Sequence, residues 1–415
     1  MPRVLLVAAT TGYQTRAFAN AARGLGFDLV LATDRCHVLE DPWGDRAIPV
    51  RFEDPFASRE VLAAHGPFDA VVAVADRPTL VAALAAEALG IPHNSPAAVS
   101  CCRDKYLARQ RFQAAGLIVP KFFRVPVSDT PGEAARRAKF PCVLKPLGLS
   151  ASRGVIRAND AREFADAFER IHAILDSSDV LVLREEHNRF IQVESFIQGR
   201  EFALEGLITG GRLQVLAIFD KPDPLDGPFF EETIYVTPSR ERAEKQEMLI
   251  RAAGRAVAAL GLTHGPVHIE IRLNSAGAWV LEVAARPIGG LCARALQFDR
   301  GMPLEELILR HAVGEDVSTA KLSDPASGVM MIPIPKGGIY EGADGVEQAS
   351  AVSCVEEVVI TAKEGQKILP LPEGASYLGF IFARGDSANQ VEGALRAAHG
   401  ALQFKIATAL PVMRP

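Results

Sequence analysis

The sequence predicts a protein of two or three domains that is α/β at its start and α+β towards its end. The chain has 415 residues, which is too many for one small hydrophobic core. Over residues 1–90, short apolar segments alternate with helix-forming segments, a pattern typical of a parallel sheet covered on both faces. After about residue 314, short strand patterns with Gly/Pro-rich turns surround one helical pattern, which predicts a small α+β domain.

The first domain is predicted from alternating strand and helix patterns. Strands are expected at residues 4–10, 28–33 and 68–75, and helices at residues 14–25 and 79–89. The turn after the first strand lacks the G-x-G-x-x-G sequence of dinucleotide-binding folds, so Gly12 is interpreted as a plain turn glycine. The Pro-rich segment 91–96 predicts the first domain boundary.

The later elements are predicted from hydrophobic periodicity and from capping and turn residues. Helices are expected at residues 104–115, 131–138, 160–175, 242–260 and 389–399. Strands are expected at residues 121–125, 142–146, 154–157, 180–184, 191–196, 201–208, 213–219, 267–273, 278–283, 329–334, 355–361 and 378–384. The pair Gly210-Gly211 predicts a hairpin between the two strands that flank it.

Composition and charge argue against several classes of function. The formal net charge is −5 and no long run of Lys or Arg occurs, so no nucleic-acid partner is expected. The apolar run at residues 4–10 is too short for a signal-peptide core or a membrane span, and no later run approaches membrane length. The six cysteines form no C-x-x-C pair. We therefore expect a cytoplasmic protein with reduced thiols and without a membrane partner.

A lysine at the end of a predicted buried strand indicates a phosphate-binding site. Lys145 follows the apolar run 140–144, and a loop of small residues, 148–154, comes directly after it. The strand fixes the ammonium group, while the loop offers backbone N–H groups and the hydroxyls of Ser150 and Ser152 to phosphate oxygens. This arrangement indicates binding of a nucleoside triphosphate.

Two glutamates on neighbouring predicted strands indicate a divalent-cation site. With a turn centred on Ala276, Glu270 and Glu282 lie opposite each other on one face of a hairpin, with Cβ atoms about 5 Å apart. Two like charges at this distance repel, and a cation between them removes the repulsion. Mg²⁺ held by one or two carboxylates and by substrate phosphates is the expected arrangement. The alternative is an exposed hairpin face on which Arg272 neutralises the pair.

Arg286 leaves the second of these strands four residues after Glu282 and precedes the pair Gly289-Gly290. An arginine in this position can donate in a forked geometry to a carboxylate or a phosphate. The alternative is a structural salt bridge to one of the two hairpin glutamates.

Glu194 and Glu201 flank a tight link between two predicted strands. The backbone at Ser195, Phe196 and Ile197 can pair with the edge of a base, and a carboxylate can accept hydrogen bonds from ribose hydroxyls. Taken alone this signal is weak, because glutamate before an aromatic residue is common on strands.

Two further patterns are ambiguous when each is taken alone. Lys105 opens a predicted helix beside Asp104 and would ordinarily be a solvated lysine. Glu231 and Glu232 lie among aromatic residues in a predicted loop, where paired acids can hold an ammonium group or a metal. A plain solvated loop is the alternative.

Taken in their order along the chain, these residues resemble the ATP-grasp superfamily. The matching set is Lys105, Lys145, the loop 148–154, Glu194, Glu201, Glu270, Glu282 and Arg286. The resemblance covers nearly the whole chain and implies an ATP-grasp fold with ATP and Mg²⁺ (or Mn²⁺) as cofactors. It implies an N-terminal Rossmann-like domain at 1–95, an ATP-grasp domain at 96–314 with a lid subdomain at about 117–195, and a C-terminal α+β domain at 315–415. The implied ATP-binding residues are Lys105, Lys145, Ser150, Ser152, Glu194, Ser195, Phe196, Ile197 and Glu201.

Within the superfamily, the chain most resembles carboxylate–amine ligases of the L-amino-acid ligase and carnosine-synthase group. Three segments carry this resemblance: Phe230-Glu231-Glu232-Thr233, Glu282-Val283-Ala284-Ala285-Arg286 and Gly379-Phe380-Ile381-Phe382-Ala383-Arg384-Gly385. The resemblance implies that Glu232 joins the metal and phosphate site, that Arg286 holds the acyl phosphate or the substrate carboxylate, and that Gly289 lines the same pocket.

Two positions depart from the pattern of this group. Ala284 stands where ATP-grasp enzymes usually carry asparagine, so a second metal ion must rely on Glu232 or on bidentate Glu282. Tyr235 stands where dipeptide ligases often carry histidine. Tyr235 is therefore expected in the substrate-binding set, and it leaves the choice of substrate open.

The resemblance implies a reaction in two steps. A carboxylate attacks the γ-phosphate of ATP to give an acyl phosphate and ADP, and an amine then displaces phosphate to form an amide. Lys145, Arg286 and Mg²⁺ act electrostatically, and the loop 148–154 is expected to act as a lid against water. The implied partners are a small-molecule carboxylate and an amine, and dimers are the common assembly of the superfamily.

Two alternatives remain open at this level. One is an ATP-grasp enzyme of the purine-biosynthesis or biotin-carboxylase type, which would activate bicarbonate or formate. The other is a module that binds ATP without turning it over.

Overall fold

A computed structural model describes residues 1–9, 14–34, 47–323 and 325–408 of the chain. The expected turn at Gly12 lies outside the described residues. The chain divides into two units. The first unit comprises Met1–Val119, Phe202–Ile218 and Glu241–Ser323, and the second comprises Pro120–Glu201, Phe219–Arg240 and Asp324–Pro415.

The helices and strands follow in chain order. Up to residue 119 they are β1 (Arg3–Ala8), α1 (Thr15–Leu25), β2 (Asp28–Thr33), β3 (Ile48–Pro49), α2 (Pro55–Ala64), β4 (Ala70–Val74), α3 (Pro78–Leu89), α4 (Pro96–Arg103) and α5 (Lys105–Ala114). Residues 120–240 contain β5 (Phe122–Pro126), α6 (Pro131–Arg137), β6 (Cys142–Pro146), β7 (Ile156–Ala158), α7 (Ala161–Leu175), α8 (Ser178–Leu181), β8 (Phe190–Ser195), β9 (Arg200–Thr209), β10 (Arg212–Lys221) and β11 (Ile234–Thr237).

The remaining elements are α9 (Ala243–Leu260), β12 (His264–Asn274), β13 (Gly277–Ala284), β14 (Gln297–Phe298), β15 (Met302–Pro303), α10 (Leu304–Ala312), β16 (Ala326–Ile332), β17 (Gly338–Asp344), α11 (Val346–Ser350), β18 (Val355–Ile360), β19 (Lys367–Ile368), β20 (Gly379–Gly385), α12 (Ala388–Ala401) and β21 (Gln403–Ala407).

The first unit begins with the parallel sheet that the alternating pattern predicts. Its strand order is β3-β2-β1-β4, and every pair in it is parallel. The apolar residues of β1 are buried on both faces of this sheet, as expected for a strand with helices above and below it. Asp76 lies just beyond the end of β4. The edge of the sheet beyond the carboxyl ends of parallel strands commonly carries a ligand site.

The first unit also contains the strands that carry the predicted hairpin. Strands β13, β12, β9 and β10 lie side by side in this order, and β12 pairs with β13 in antiparallel direction. Helices α4, α5 and α9 pack against β13, and their apolar faces share one core with the inward residues of the strands. Asp104 caps α5, since its Oδ1 accepts hydrogen bonds from the N–H groups of Tyr106 and Leu107. The cap places Lys105 at the first position of the helix.

The second unit contains the predicted lysine strand. Strand β6 lies in an antiparallel sheet of order β5-β8-β6-β7, and α6 and α7 belong to the same core. The bounds of β6 match the prediction for residues 142–146, and Asp160 caps α7 as expected.

The same unit also contains the predicted C-terminal α+β elements. Strands β11, β16, β20 and β18 lie side by side in antiparallel order, with α12 packed against them. A smaller antiparallel sheet has the order β19-β17-β21. The mixed α/β and α+β character expected from the sequence is confirmed. The division at residues 95 and 314, with a lid at about 117–195, stays a prediction.

One predicted strand is wrong. Residues 180–184 were expected to form a strand because they are apolar, but they fall in the short helix α8 and the turn after it. The N–H of Leu181 donates to the carbonyl of Ser177, which is the i to i−4 hydrogen bond of a helix. The side chains of Leu181 and Val182 are exposed, so this apolar run does not reflect a buried strand.

Among the described residues, none of the helices has both the length and the apolar character needed to cross a bilayer.

Three histidines lie close together in the first unit, and burial shifts their pKa values. The rings of His264 and His311 stack with centroids 4.5 Å apart, and His311 Nε2 lies 2.8 Å from Thr209 Oγ1. Burial lowers the pKa of His311 to about 4, with a further contribution from His264. Burial also lowers the pKa of His93 to about 4. The structure therefore holds these rings in their neutral form.

We expect the free energy of unfolding to fall as the pH is lowered from about 6.5 towards 4. In that range the unfolded chain takes up protons that the folded histidines do not bind, at a cost of about 2 kcal/mol at pH 5 for each of His93 and His311, whose pKa values are lowered to about 4. His311→Leu should remove part of this pH dependence, and His65→Leu, at an exposed position, should keep it. Urea unfolding of the three proteins at pH 7 and pH 5 measures the effect. An equal pH dependence in all three would contradict it.

Candidate functional site

Glu270 and Glu282 are direct cross-strand partners in the β12–β13 hairpin, as predicted. The turn of the hairpin is not centred on Ala276, as the sequence predicted, and the two glutamates come to pair in another way. Asn274 pairs with Gly277 across a two-residue turn, and a bulge after Glu270 then shifts the register by one residue. The bulge restores the pairing of the two glutamates.

A buried arginine holds this bulge in place. Arg109 on α5 is 1% exposed, and its guanidinium donates to the carbonyls of Val280 at 2.5 Å and Leu281 at 3.0 Å. Leu281 is the residue that the bulge leaves without a cross-strand partner in the register. Arg109 was not among the predicted site residues, although an arginine on the apolar face of a predicted helix was an available signal.

The two hairpin carboxylates each have a cationic neighbour. Lys105 Nζ lies 3.4 Å from Glu282 Oε2, and His268 Nε2 lies 3.7 Å from Glu270 Oε1. Arg272, which the alternative interpretation placed beside the pair on an exposed face, is 3% exposed. The face of the hairpin that carries the two glutamates is therefore not an ordinary exposed surface. Carboxylate oxygens on a half-buried face are a donor set that fits Mg²⁺ or Mn²⁺.

Arg286 is held by a carboxylate that the sequence analysis missed. Its Nε and one terminal nitrogen donate to the two oxygens of Asp76 at 2.9 Å and 3.0 Å. Burial alone would raise the pKa of Asp76, but the guanidinium outweighs burial and holds that pKa below its ordinary value. The alternative of a salt bridge to a hairpin glutamate is not what the structure shows. The partner comes from the end of β4, where a polar residue after a buried parallel strand was the available signal.

A fully buried carboxylate lies behind Glu270. Glu205 on β9 is 0% exposed; one of its oxygens lies 3.1 Å from His268 Nδ1, and the other accepts the N–H of Ile288 at 3.1 Å. Burial alone would lower the pKa of His268, but the hydrogen bonds to Glu205 and Glu270 outweigh it and raise that pKa to about 9. Charged residues inside apolar strands were the signal for Glu205 and His268.

Gly289 follows this anchored backbone. A side chain built at Gly289 would meet no atom within 4 Å, so the position faces open space. This is consistent with the expectation that Gly289 lines a pocket. Ala284, at the position usually occupied by asparagine, is buried and pairs with His268 across the hairpin.

In the second unit, Lys145 forms an ion pair with Glu194. Lys145 Nζ lies 2.5 Å from Glu194 Oε2, and both side chains are almost fully buried. Gln192 Nε2 donates to the other oxygen of Glu194 at 2.6 Å. The pair results from the antiparallel pairing of β6 with β8, in which Lys145 lies opposite Gln192 and Glu194 opposite Val143. Both residues were predicted to bind ATP, but their ion pair was not predicted.

Part of the backbone that was expected to bind a base is already hydrogen-bonded within the protein. The N–H of Ser195 donates to the carbonyl of Lys121 at 2.9 Å, and the N–H of Phe196 donates to the carbonyl of Pro141 at 2.9 Å. These two N–H groups are therefore already bound within the protein, and the assignment of the backbone at Ser195, Phe196 and Ile197 to a base stays a prediction. Ile197, the third residue of the link, is buried.

The loop 148–154 has an unusual backbone. Ala151 and Ser152 have φ values of 54° and 55°, in the left-handed region that residues with a Cβ rarely adopt. A Cβ on Gly148 would lie 1.9 Å from the ring of His187, so this position requires glycine unless that ring moves. Ser150 is exposed and Ser152 half-buried. Strained backbone of this kind is often found at ligand-binding loops.

Lys221 joins three residues that the sequence analysis assigned separately. Its Nζ lies 2.9 Å from Glu201 Oε1 and also donates to Glu232. Tyr235 donates its hydroxyl to Glu232 at 2.8 Å, and the lysine ammonium lies 4.9 Å from the centre of the tyrosine ring. Glu201 was expected at the ribose and Glu232 at the metal; both contact the same lysine, and the two assignments stay predictions. Lys221 was missed, although it ends an apolar strand as Lys145 does.

Models of known protein families match several parts of the chain. The ATP-grasp domain matches residues 138–295, the ATP-grasp N-terminal domain matches residues 19–93, and the L-amino acid ligase C-terminal domain 2 matches residues 330–407. The chain belongs to the ATP-grasp superfamily. The resemblance from the ordered residues is confirmed, as is the ATP-grasp fold.

Individual relatives agree with this assignment. Alanine–anticapsin ligase from Bacillus subtilis is 29% identical over 240 residues, covering 55% of the chain and 50% of the relative. Carnosine synthase 1 from Gallus gallus is 30% identical over 234 residues, covering 54% of the chain and 25% of the relative. The chain thus spans half or less of these two relatives.

A solved structure matches over the full length. The crystal structure of L-amino acid ligase from Bacillus licheniformis is 26% identical, with a TM-score of 0.80. The match covers 98% of this chain and 99% of that chain. This ATP-grasp protein is therefore similar in fold, from end to end, to an L-amino acid ligase.

Proposed function

We propose that the protein is an ATP-dependent carboxylate–amine ligase that forms an amide through an acyl phosphate and releases ADP and phosphate. The observation that carries the proposal is the pairing of Glu270 with Glu282, beside Lys105 and on a strand that leads to Arg286. A module that only binds ATP has no need of two opposed carboxylates. The similarity to proteins named as ligases, including one over its full length, supports the same conclusion.

The proposed chemistry follows from the poor reactivity of a carboxylate. An amine does not displace oxide from a carboxylate, and phosphorylation supplies a leaving group that it can displace. Phosphoryl transfer requires little covalent chemistry from the protein. Catalysis therefore depends on positioning the reactants and on positive charge near the oxygens of the phosphoryl group.

We assign the metal to the hairpin of the first unit. Glu270 and Glu282 would hold Mg²⁺ or Mn²⁺, and a role for Glu232 as a metal ligand stays a prediction. The ion would neutralise charge on the phosphate oxygens. Lys105, which we assign to ATP, lies beside the same carboxylate, with its Nζ 3.4 Å from Glu282 Oε2.

We assign ATP to Lys145 and the loop 148–154, with Glu194, Ser195, Phe196, Ile197 and Glu201 near the base and the ribose. The Lys145–Glu194 pair offers a physical advantage. A buried ammonium that already faces a carboxylate is desolvated before ATP arrives, so less water has to be removed when a phosphate binds. Ser150 and Ser152 supply hydroxyl donors to the phosphates.

We assign the acyl substrate to Arg286 and Gly289, and the expectation that Glu232 and Tyr235 also bind substrate stays a prediction. The bidentate bond to Asp76 uses two of the donors of Arg286 and fixes the plane of its guanidinium. A rigid guanidinium suits a planar carboxylate or an acyl phosphate. An amino acid or a short peptide is the proposed class of substrate. A cytoplasmic location and a homodimer stay predictions.

A panel assay tests the proposal. Phosphate release is measured with ATP and Mg²⁺ across the common amino acids, singly and in pairs, with mass detection of new amides. We expect release that requires a carboxylate substrate and an amide mass in the productive pairs. Release stimulated by bicarbonate without any amino acid would favour the carboxylase-type alternative. Tight ATP binding by calorimetry, with no ADP from any combination, would favour the binding module.

A further inference from the structure

A chain of three side chains runs from the substrate loop to the metal hairpin within the first unit. The backbone N–H of Ile288 donates to Glu205, Glu205 contacts His268 Nδ1 at 3.1 Å, and His268 Nε2 lies 3.7 Å from Glu270. Each link lies on a different segment: the loop after β13, strand β9 and strand β12. The series therefore fixes three segments relative to one another.

The loop end of this series is held from both sides. Gln14 is 4% exposed, and its side-chain amide donates to the carbonyl of Ile288, while Glu205 accepts from the N–H of the same residue. The backbone N–H and the carbonyl of Ile288 are thus both bound by buried side chains. Ile288 directly precedes Gly289, so this anchoring sets the backbone that we assign to the acyl substrate.

Stability does not account for this arrangement. Burying a carboxylate and an imidazole costs desolvation that their attraction often fails to repay, and apolar residues of similar volume are frequently as stable or more so. Glu205 is 0% and His268 is 7% exposed, so both bear this cost. Outer residues that orient metal-binding side chains have this character: they are buried, hydrogen-bonded and do not themselves touch the ion.

We propose that Glu205 and His268 are positioning residues that hold the metal-binding carboxylate of Glu270 and the backbone at Ile288 in one fixed arrangement. The inference rests on the proposed function, because it takes Glu270 as a metal ligand and the Ile288–Gly289 backbone as the substrate loop. The positioning role goes beyond the proposed function, because it concerns two residues that neither bind the metal nor touch the substrate. They act by fixing the distance between the metal and the carboxylate to be activated.

The test measures metal affinity directly. Mn²⁺ binding to the full chain is titrated by electron paramagnetic resonance of the free ion, with a non-hydrolysable ATP analogue present. The proteins are the wild type, Glu270→Gln, His268→Leu, His268→Gln, Glu205→Gln and the control His311→Leu. His311 is also a buried histidine of the first unit, but its polar contact is to Thr209, so it reports the general cost of removing such a ring.

We expect His268→Leu and Glu205→Gln to weaken Mn²⁺ binding about 10-fold to 100-fold, the range usual for outer residues of metal sites. His268→Gln keeps an amide donor for the carboxylates and should recover part of the affinity. His311→Leu should bind Mn²⁺ as the wild type does, even if its thermal midpoint falls. In turnover, the KM for Mg²⁺ should rise more than kcat falls.

Equal Mn²⁺ affinity in His268→Leu and His311→Leu would overturn the positioning role. Equal affinity in Glu270→Gln and the wild type would overturn the metal assignment and the positioning role with it. Failure of the proposed reaction gives a different result: the wild type binds Mn²⁺ and ATP but yields no ADP with any carboxylate. The two failures are therefore distinguishable.

Discussion

Glu282→Gln is expected to lower ADP formation by at least about 100-fold, which corresponds to about 2.7 kcal/mol of transition-state stabilisation. Glutamine keeps the size of the side chain and its place opposite Glu270, but it removes one of the two charges that would hold the metal ion. Lys105 also loses its carboxylate partner at 3.4 Å. Without the ion, the negative charge on the phosphate oxygens is not neutralised as the carboxylate approaches.

The measurement is coupled ADP release over a wide range of Mg²⁺ concentrations, repeated with Mn²⁺. A partial recovery at high metal concentration would show that affinity for the ion was lost. Glu247→Gln is the matched control, because Glu247 is an exposed carboxylate of the same unit that pairs with Arg251 at 3.2 Å. Full activity of Glu282→Gln at low Mg²⁺ would remove the hairpin from the metal site.

The Glu270–Glu282 pairing shows what a sequence can and cannot predict about this site. Alternation along two strands placed both carboxylates on one face, and the pairing is correct. The predicted centre of the turn is wrong. The two glutamates still pair, because Arg109 stabilises a bulge that shifts the register. A strand pattern has a period of two, and it carries no information about a buried arginine on a distant helix.

Contacts between distant segments explain the residues that the sequence analysis missed. Asp76 lies 210 positions before Arg286, and Glu205 lies 63 positions before His268. No local pattern connects such residues, and each becomes recognisable only when strands from separate segments lie side by side. The ordered set of lysines and glutamates was recognisable because each member follows a local rule: a strand end, a helix start or a hairpin.

The predicted strand at 180–184 failed for a related reason. An apolar run predicts burial, but Leu181 and Val182 are exposed in and beside a short helix. Periodicity cannot separate a buried strand from a short helix when the run has only a few residues. The longer elements of the same unit, such as α7, were predicted with the correct bounds because a capping aspartate marks the start.

Lys145→Met is expected to abolish ADP formation and also to destabilise the protein. Glu194 is almost fully buried and lies 2.5 Å from the lysine ammonium, so removal of the lysine leaves a buried carboxylate without this cation. Breaking a buried pair in this way costs about 3–5 kcal/mol. A loss of activity in this single variant could therefore reflect unfolding rather than catalysis.

The double variant Lys145→Met with Glu194→Gln separates the two effects. With no carboxylate left to neutralise, most of the stability should return, as measured by urea unfolding, because the pair is replaced by uncharged side chains of similar size. ADP formation should stay at least about 100-fold below the wild type, since the ammonium group of Lys145 no longer faces the phosphates. Turnover at the wild-type rate in the stable double variant would make Lys145 a structural residue, because the only function left for it would be to neutralise Glu194.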